Sequence, residues 1–195
     1  PAEVIVLDTE AKRFVLLDLE RRIRAELATA DVAAFNERLL RQASGQTDPY
    51  LQFRAAPKFK EQYDSTSGEL TLSSPLMTYL LWLIAAGSAD IATQNRHFCD
   101  WYARLNAMLR PGSMPAAARL RVNEAMGRRE AIPREVELTV EPKKTFPPRR
   151  TTLRSQHRLI REIGESDLDR VAQTQQFMAI FKPVGFDQYA RVERR

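Results

Sequence analysis

The sequence predicts an α+β chain that is predominantly α-helical: about five to six helices form a helical core, with a small β element in the C-terminal third and a basic, proline-rich arm. Three observations lead there. Residues 74–87, Ser-Pro-Leu-Met-Thr-Tyr-Leu-Leu-Trp-Leu-Ile-Ala-Ala-Gly, form the only long, charge-free, strongly apolar segment in a polar chain, and are expected to be a central buried helix. Apolar residues recur at helical spacing through much of the first two thirds. Near Pro133 the character changes, and Val136, Leu138 and Val140 alternate with polar residues as in a half-buried strand.

Taken in order, residues 2–7 are β-prone and short. Asp8-Thr9 then offers an N-cap with Glu10 in the first turn, and Leu16, Leu19, Ile23 and Leu27 describe an amphipathic helix to about Ala28. Asp31 caps a second helix, with Val32, Phe35 and Leu39 on one face and Gly45 as its stop, so a helical hairpin is expected. Residues 46–73 read as loop, with turns at Pro49, Pro57 and Asp64-Ser65-Thr66-Ser67-Gly68; only Glu69-Leu70-Thr71-Leu72 alternates like a strand.

Ser74-Pro75 opens the apolar run as a helix start would, and Gly87-Ser88 closes it and caps the next helix. That helix carries Ile91, Phe98, Tyr102, Leu105 and Leu109 along one stripe and ends at Pro111-Gly112. An alanine-rich helix at 113–126 follows, then the strand around Val136. Phe146-Pro147-Pro148 holds its surroundings extended, because proline cannot donate a backbone hydrogen bond. Residues 151–163 fit either a strand or a helix, the strand slightly better. Ser166 and Asp169 resemble a capping box opening a last helix with Leu168, Val171, Gln175 and Met178 on one face. No internal repeat is evident.

The whole chain, 1–195, reads as one domain: a helical body at 9–130, a β and basic-arm region at 133–163, and a C-terminal helix and tail at 165–195. The single cysteine, Cys99, excludes an internal disulfide and fits a reducing compartment. The apolar run falls short of the roughly 20 residues a spanning helix needs, so no membrane insertion is expected. The first residues lack the basic-then-apolar order of a signal peptide. The expected location is the cytoplasm, or a particle assembled there.

Little catalytic chemistry is on offer. His97 and Cys99 sit two apart on a helix and point about 200° from each other, too far to share a substrate or an ion. No glycine-rich phosphate loop is present, and no residue is assigned to catalysis, a metal or a cofactor. Glu135, Glu137 and Glu141 fall on the polar face of the expected strand, either solvated or paired with the basic arm.

The positive signal is charge. Lys143, Lys144, Arg149, Arg150, Arg154, Arg158 and Arg161 form a window with no acid, carrying +7 in a chain of net charge +5, which leaves the remainder at −2. Exposed cations of this kind neutralise phosphates through counterion release or dock on an acidic neighbour, and Phe146 and His157 are placed to stack on bases. In the tail, Phe177, Phe181, Phe186 and Tyr189 are candidates for a subunit contact or for packing on the chain itself. The function this points to is a non-catalytic structural subunit of a large assembly, such as a virion or other nucleoprotein particle. Copies of itself or other subunits would be its neighbours, and the arm would meet nucleic acid or an acidic partner. The alternative is a free-standing DNA- or RNA-binding regulator.

Overall fold

The computed structural model describes residues 2–110, 116–141, 151–160 and 162–190. In chain order the elements are β1 (Glu3–Asp8), β2 (Arg13–Asp18), β3 (Ile23–Ala28), α1 (Thr29–Ser44), α2 (Pro49–Ala55), β4 (Lys60–Asp64), β5 (Glu69–Ser73), β6 (Met77–Ala85), α3 (Ala89–Leu109), α4 (Ala116–Gly127), β7 (Ala131–Val140), β8 (Thr151–Gln156), α5 (Glu165–Ile180), β9 (Lys182–Pro183) and α6 (Phe186–Ala190). Of the described residues, helix accounts for 44% and strand for 32%, in sheets of 4 and 5 strands. The fold is mixed α+β, and the expectation of a predominantly helical chain is overturned. Contacts divide the chain into two compact units, one of Pro1–Phe35 with Ile160–Arg195, the other of Asn36–Leu159.

The first unit holds a sheet ordered β1-β2-β3-β9, an antiparallel meander with β9 added parallel to β3. The helix expected over 9–28 is instead β2 and β3 with their turns. The reason is a short ten-residue repeat, which corrects the expectation of no internal repeat: Val4-Ile5-Val6-Leu7-Asp8-Thr9-Glu10-Ala11-Lys12-Arg13 is followed by Phe14-Val15-Leu16-Leu17-Asp18-Leu19-Glu20-Arg21-Arg22-Ile23. Each copy has four apolar strand residues and a strand-ending Asp, then a turn. Asp8 accepts the backbone N–H of Ala11 at 3.0 Å, and Asp18 accepts those of Glu20 and Arg21 at 3.0 and 2.7 Å. Four residues after each Asp the chain takes a positive φ, 52° at both Lys12 and Arg22. An Asp that accepts backbone N–H groups opens a turn as readily as a helix. On the core face Val15, Leu17 and Phe181 are buried, with Val4, Val6, Leu19, Phe177 and Met178 against them.

The second unit holds a sheet ordered β4-β5-β6-β7-β8, antiparallel throughout. Its central strand, β6, occupies the apolar run that reads as a helix in the sequence. A run apolar at every position has no period to separate helix from strand. What decides it is that both faces of a central strand can be covered, together with Thr78, Tyr79, Trp82 and Ile84, residue types that suit a pleated surface. Met77, Tyr79, Leu81 and Leu83 enter the core with Ala118, Val122, Ala125 and Met126 of α4, while Leu80 and Trp82 on the other face are half-buried. Ser74 caps a turn here, its hydroxyl accepting from the N–H of Met77 at 3.1 Å. A bulge between Trp82 and Leu83 brings Leu83 opposite Pro133, where the missing N–H breaks no regular ladder.

Ser88 caps α3 by accepting the N–H of Ile91 at 3.2 Å, and α1, α4, β5, β7 and α5 lie close to where the sequence puts them. Two expectations are corrected: residues 46–73, read as loop apart from the strand at 69–72, also hold α2 and β4, and α5 is capped by Gly164 with no side-chain hydrogen bond, so Ser166 and Asp169 lie inside the helix and form no capping box. Residues 151–156 are a strand. Between α3 and α4, the fully buried Asn123 donates to Asp100 at 2.8 Å, and a side chain at Gly127 would meet Arg96.

Candidate nucleic-acid interface

The strand register places Tyr79, Val136, Leu138, Leu153 and Ser155 on one face of the second unit's sheet. On α3, Asn95, Phe98, Cys99, Tyr102 and Asn106 follow helical spacing and share a side. Between them runs a groove of about 600 Å³ that Arg110, Arg119 of α4, Arg154 and His157 also line. Its floor is mostly aliphatic, its wall carries aromatic rings, and none of the described Asp or Glu residues lines it.

Phe98 and Tyr102, one turn apart, are stacked with ring centroids 5.9 Å apart and 15° between planes. The sequence reads them as a core stripe; they are 49% and 40% exposed. The sequence also carries a trace of this, because Asn95, Asn106 and Arg110 interrupt that side of α3 with polar groups a buried stripe would not hold. Arg119 is half-buried, and none of the described carboxylates lies within ion-pairing distance of it. At Cys99 burial dominates and pushes the thiol up, against the charge of Arg119, which leaves a poor nucleophile. Burial, with the charge of Arg119, holds His157 below the ordinary histidine range; its ring lies 3.0 Å from Ser155 Oγ. His97 accepts from Trp101 Nε1 at 3.1 Å and is absent from the groove, so His97 and Cys99 are not brought together.

Of the basic window, Lys143, Lys144, Arg149, Arg150 and Arg161 lie outside the described residues, as does Phe146. The first four belong to the connection between β7 and β8, whose flanking residues Val140 and Thr151 are paired at the end of the hairpin that forms the groove floor. Arg154 borders the groove, but its guanidinium is held by Glu135 and Glu137 at 3.0 and 2.8 Å. Those glutamates therefore pair with the basic region. Arg158 is exposed and lines a smaller cleft of about 330 Å³ with Arg134, Glu135, Gln156 and His157.

The tail aromatics are engaged within the first unit. Phe181 and Tyr189 are buried, Phe177 stacks on Phe181 at 4.9 Å, and Phe186 is half-buried in α6. Tyr189 donates to Glu3 at 2.6 Å. No helix among the described residues is long and apolar enough to cross a membrane. Neither the family models, nor the curated proteins, nor the solved structures give a match to this chain.

Proposed function

We propose that the protein is a non-catalytic subunit of a nucleoprotein assembly, such as a virion or another particle containing nucleic acid, and that its basic region at 143–161 meets the nucleic acid. The observation that carries this reading is the groove itself, with stacked, exposed aromatics on its wall and no acid among its described lining residues. In the sequence, Lys143, Lys144, Arg149 and Arg150 fall between the two strands that contribute to its floor. Cations supply sequence-independent attraction to phosphates, and aromatic faces supply stacking when the strand is single.

Binding of a labelled oligonucleotide, followed by anisotropy across a range of salt, tests this. Affinity should fall steeply with salt, and replacing Lys143, Lys144, Arg149 and Arg150 by alanine should flatten the log–log slope by about 3, at roughly 0.7 per phosphate contact on a single strand. A flat salt dependence, or unchanged binding by that variant, overturns the reading. The free-standing regulator is favoured by one observation, that the described residues lining the groove all belong to the second unit. A small oligomer in solution that binds nucleic acid alone would select it over the assembly subunit.

A further inference from the structure

We infer that the groove seats one nucleotide of a single strand, its phosphate on Arg119 and its base against the open face of the Phe98–Tyr102 pair. This rests on the nucleic-acid reading above and deepens it. Among the described residues three arginines and a histidine line the groove, and no carboxylate does. Arg154 is already paired with Glu135 and Glu137, so it is not the source of the groove's charge. Arg119 and the exposed Arg110 are, and of the two Arg119 is the half-buried one. A half-buried arginine with no carboxylate beside it among the described residues carries a charge that an anion in the groove would balance. Its planar fork matches two oxygens of one phosphate.

Two further features fix the rest of the ligand. A stacked aromatic pair that is 49% and 40% exposed leaves an outer ring face open, and such a face takes a third ring at ordinary stacking distance. Asn95 and Asn106 line the same groove, and an amide offers both donors and an acceptor, as the edge of a base requires. A volume of about 600 Å³ falls in the range that encloses a small molecule. A base stacked within a duplex cannot enter it, so the site requires an unpaired strand.

The test uses the full chain and anisotropy with labelled 12-nucleotide single strands of deoxythymidylate and of uridylate, and with a duplex of equal length. The single strands should bind at least tenfold more tightly than the duplex. Arg119→Gln should weaken single-strand binding at least tenfold, with Arg119→Lys recovering part of the loss. Tyr102→Ala should weaken it about 5- to 100-fold, in line with one stacked base. Uridine monophosphate should displace the strand where uridine does not, and inorganic phosphate should displace it less well. Circular dichroism melts verify that each variant folds, and Phe98→Leu and Tyr102→Phe serve as conservative checks.

Wild-type affinity in Arg119→Gln and Tyr102→Ala, with binding lost in the variant lacking Lys143, Lys144, Arg149 and Arg150, overturns the groove site and leaves the nucleic-acid reading standing. Binding of uridine monophosphate without binding of any strand overturns the nucleic-acid reading and keeps a nucleotide site. Displacement by decanoate but by no nucleotide assigns the groove to an amphipathic carboxylate and overturns the inference.

Discussion

Arg154 on β8 stands directly opposite Glu137 on β7, its Nη2 2.8 Å from Glu137 Oε2, while its Nε reaches Glu135 at 3.0 Å. One member of the basic window is thus spent on its own sheet. Its charge is balanced before any polyanion arrives.

Freeing it should be visible. Replacing Glu135 and Glu137 together by glutamine is expected to tighten oligonucleotide binding at low salt and to steepen the salt slope by about 0.7, one extra phosphate contact. Arg154→Ala should change affinity less than twofold and move the melting temperature by no more than about 2 °C, because the pair is exposed. Anisotropy titrations of the two variants at matched salt check this. A loss of affinity in Arg154→Ala as large as in Arg119→Gln would refute the assignment.

Three hairpin turns in this chain share one plan: an Asp ends the strand, its carboxylate accepts backbone N–H groups, and the fourth residue on has positive φ. The places are Asp8 with Lys12, Asp18 with Arg22, and Asp64 with Gly68, at φ 52°, 52° and 73°. Only the third uses the residue that adopts this conformation freely. Lys12→Gly and Arg22→Gly should therefore each stabilise the protein by up to about 1 kcal/mol in urea unfolding, from relief of left-handed backbone. Gly68→Ala should cost about 1–3 kcal/mol, since its Cβ would sit 2.8 Å from the Leu83 carbonyl oxygen. A stabilising Gly68→Ala would refute the shared plan.

The legibility of the chain follows from what its signals mean physically. Where polar residues interrupt the apolar ones at a definite period, as in α3, α5 and β7, element type and place are readable from the sequence. Where every position is apolar, as in β6, the period vanishes and two faces cannot be told from one stripe. The stretch 9–28 misleads for another reason: Leu16, Leu19, Ile23 and Leu27 match helical spacing by coincidence, while the ten-residue repeat that sets the two turns is more diagnostic. The candidate site was legible only as charge. Its groove brings α3, α4 and the β6–β8 strands together, and such a convergence is tertiary information.

Alkaline stability carries a second fingerprint, in the first unit. Burial, then the hydrogen bond to Glu3 and the nearby charges of Glu3 and Asp18, push the Tyr189 hydroxyl far above the ordinary tyrosine range, with Arg21 opposing them. The folded chain holds that proton more tightly than the unfolded chain, so the stabilisation is full below the ordinary value of 10.0 and declines as pH rises above it. Tyr189→Phe should be less stable than wild type at neutral pH, through loss of the 2.6 Å bond, and should lose less stability between neutral pH and pH values above about 10. Urea midpoints measured against pH for both proteins decide it; parallel curves would refute the role of this hydroxyl.

The apolar run that dominates the sequence provides the sharpest check on the fold. As β6, its odd-numbered residues Met77, Tyr79, Leu81 and Leu83 enter the core beside α4, while Thr78, Leu80 and Trp82 lie on the other, half-buried face. Alanine at each position in turn should therefore give losses that alternate with a period of two. Leu81→Ala should cost about 2–5 kcal/mol, because Leu81 is fully buried and its removal leaves a cavity against Val122 and Met126. Leu80→Ala should cost less than half as much. A helix in the same place would put its largest losses three and four residues apart, so equal losses at 77, 80, 81 and 84 with a small one at 79 would overturn the strand. Under the strand, Ile84→Ala is nearly silent because that side chain is 37% exposed at the end of the face.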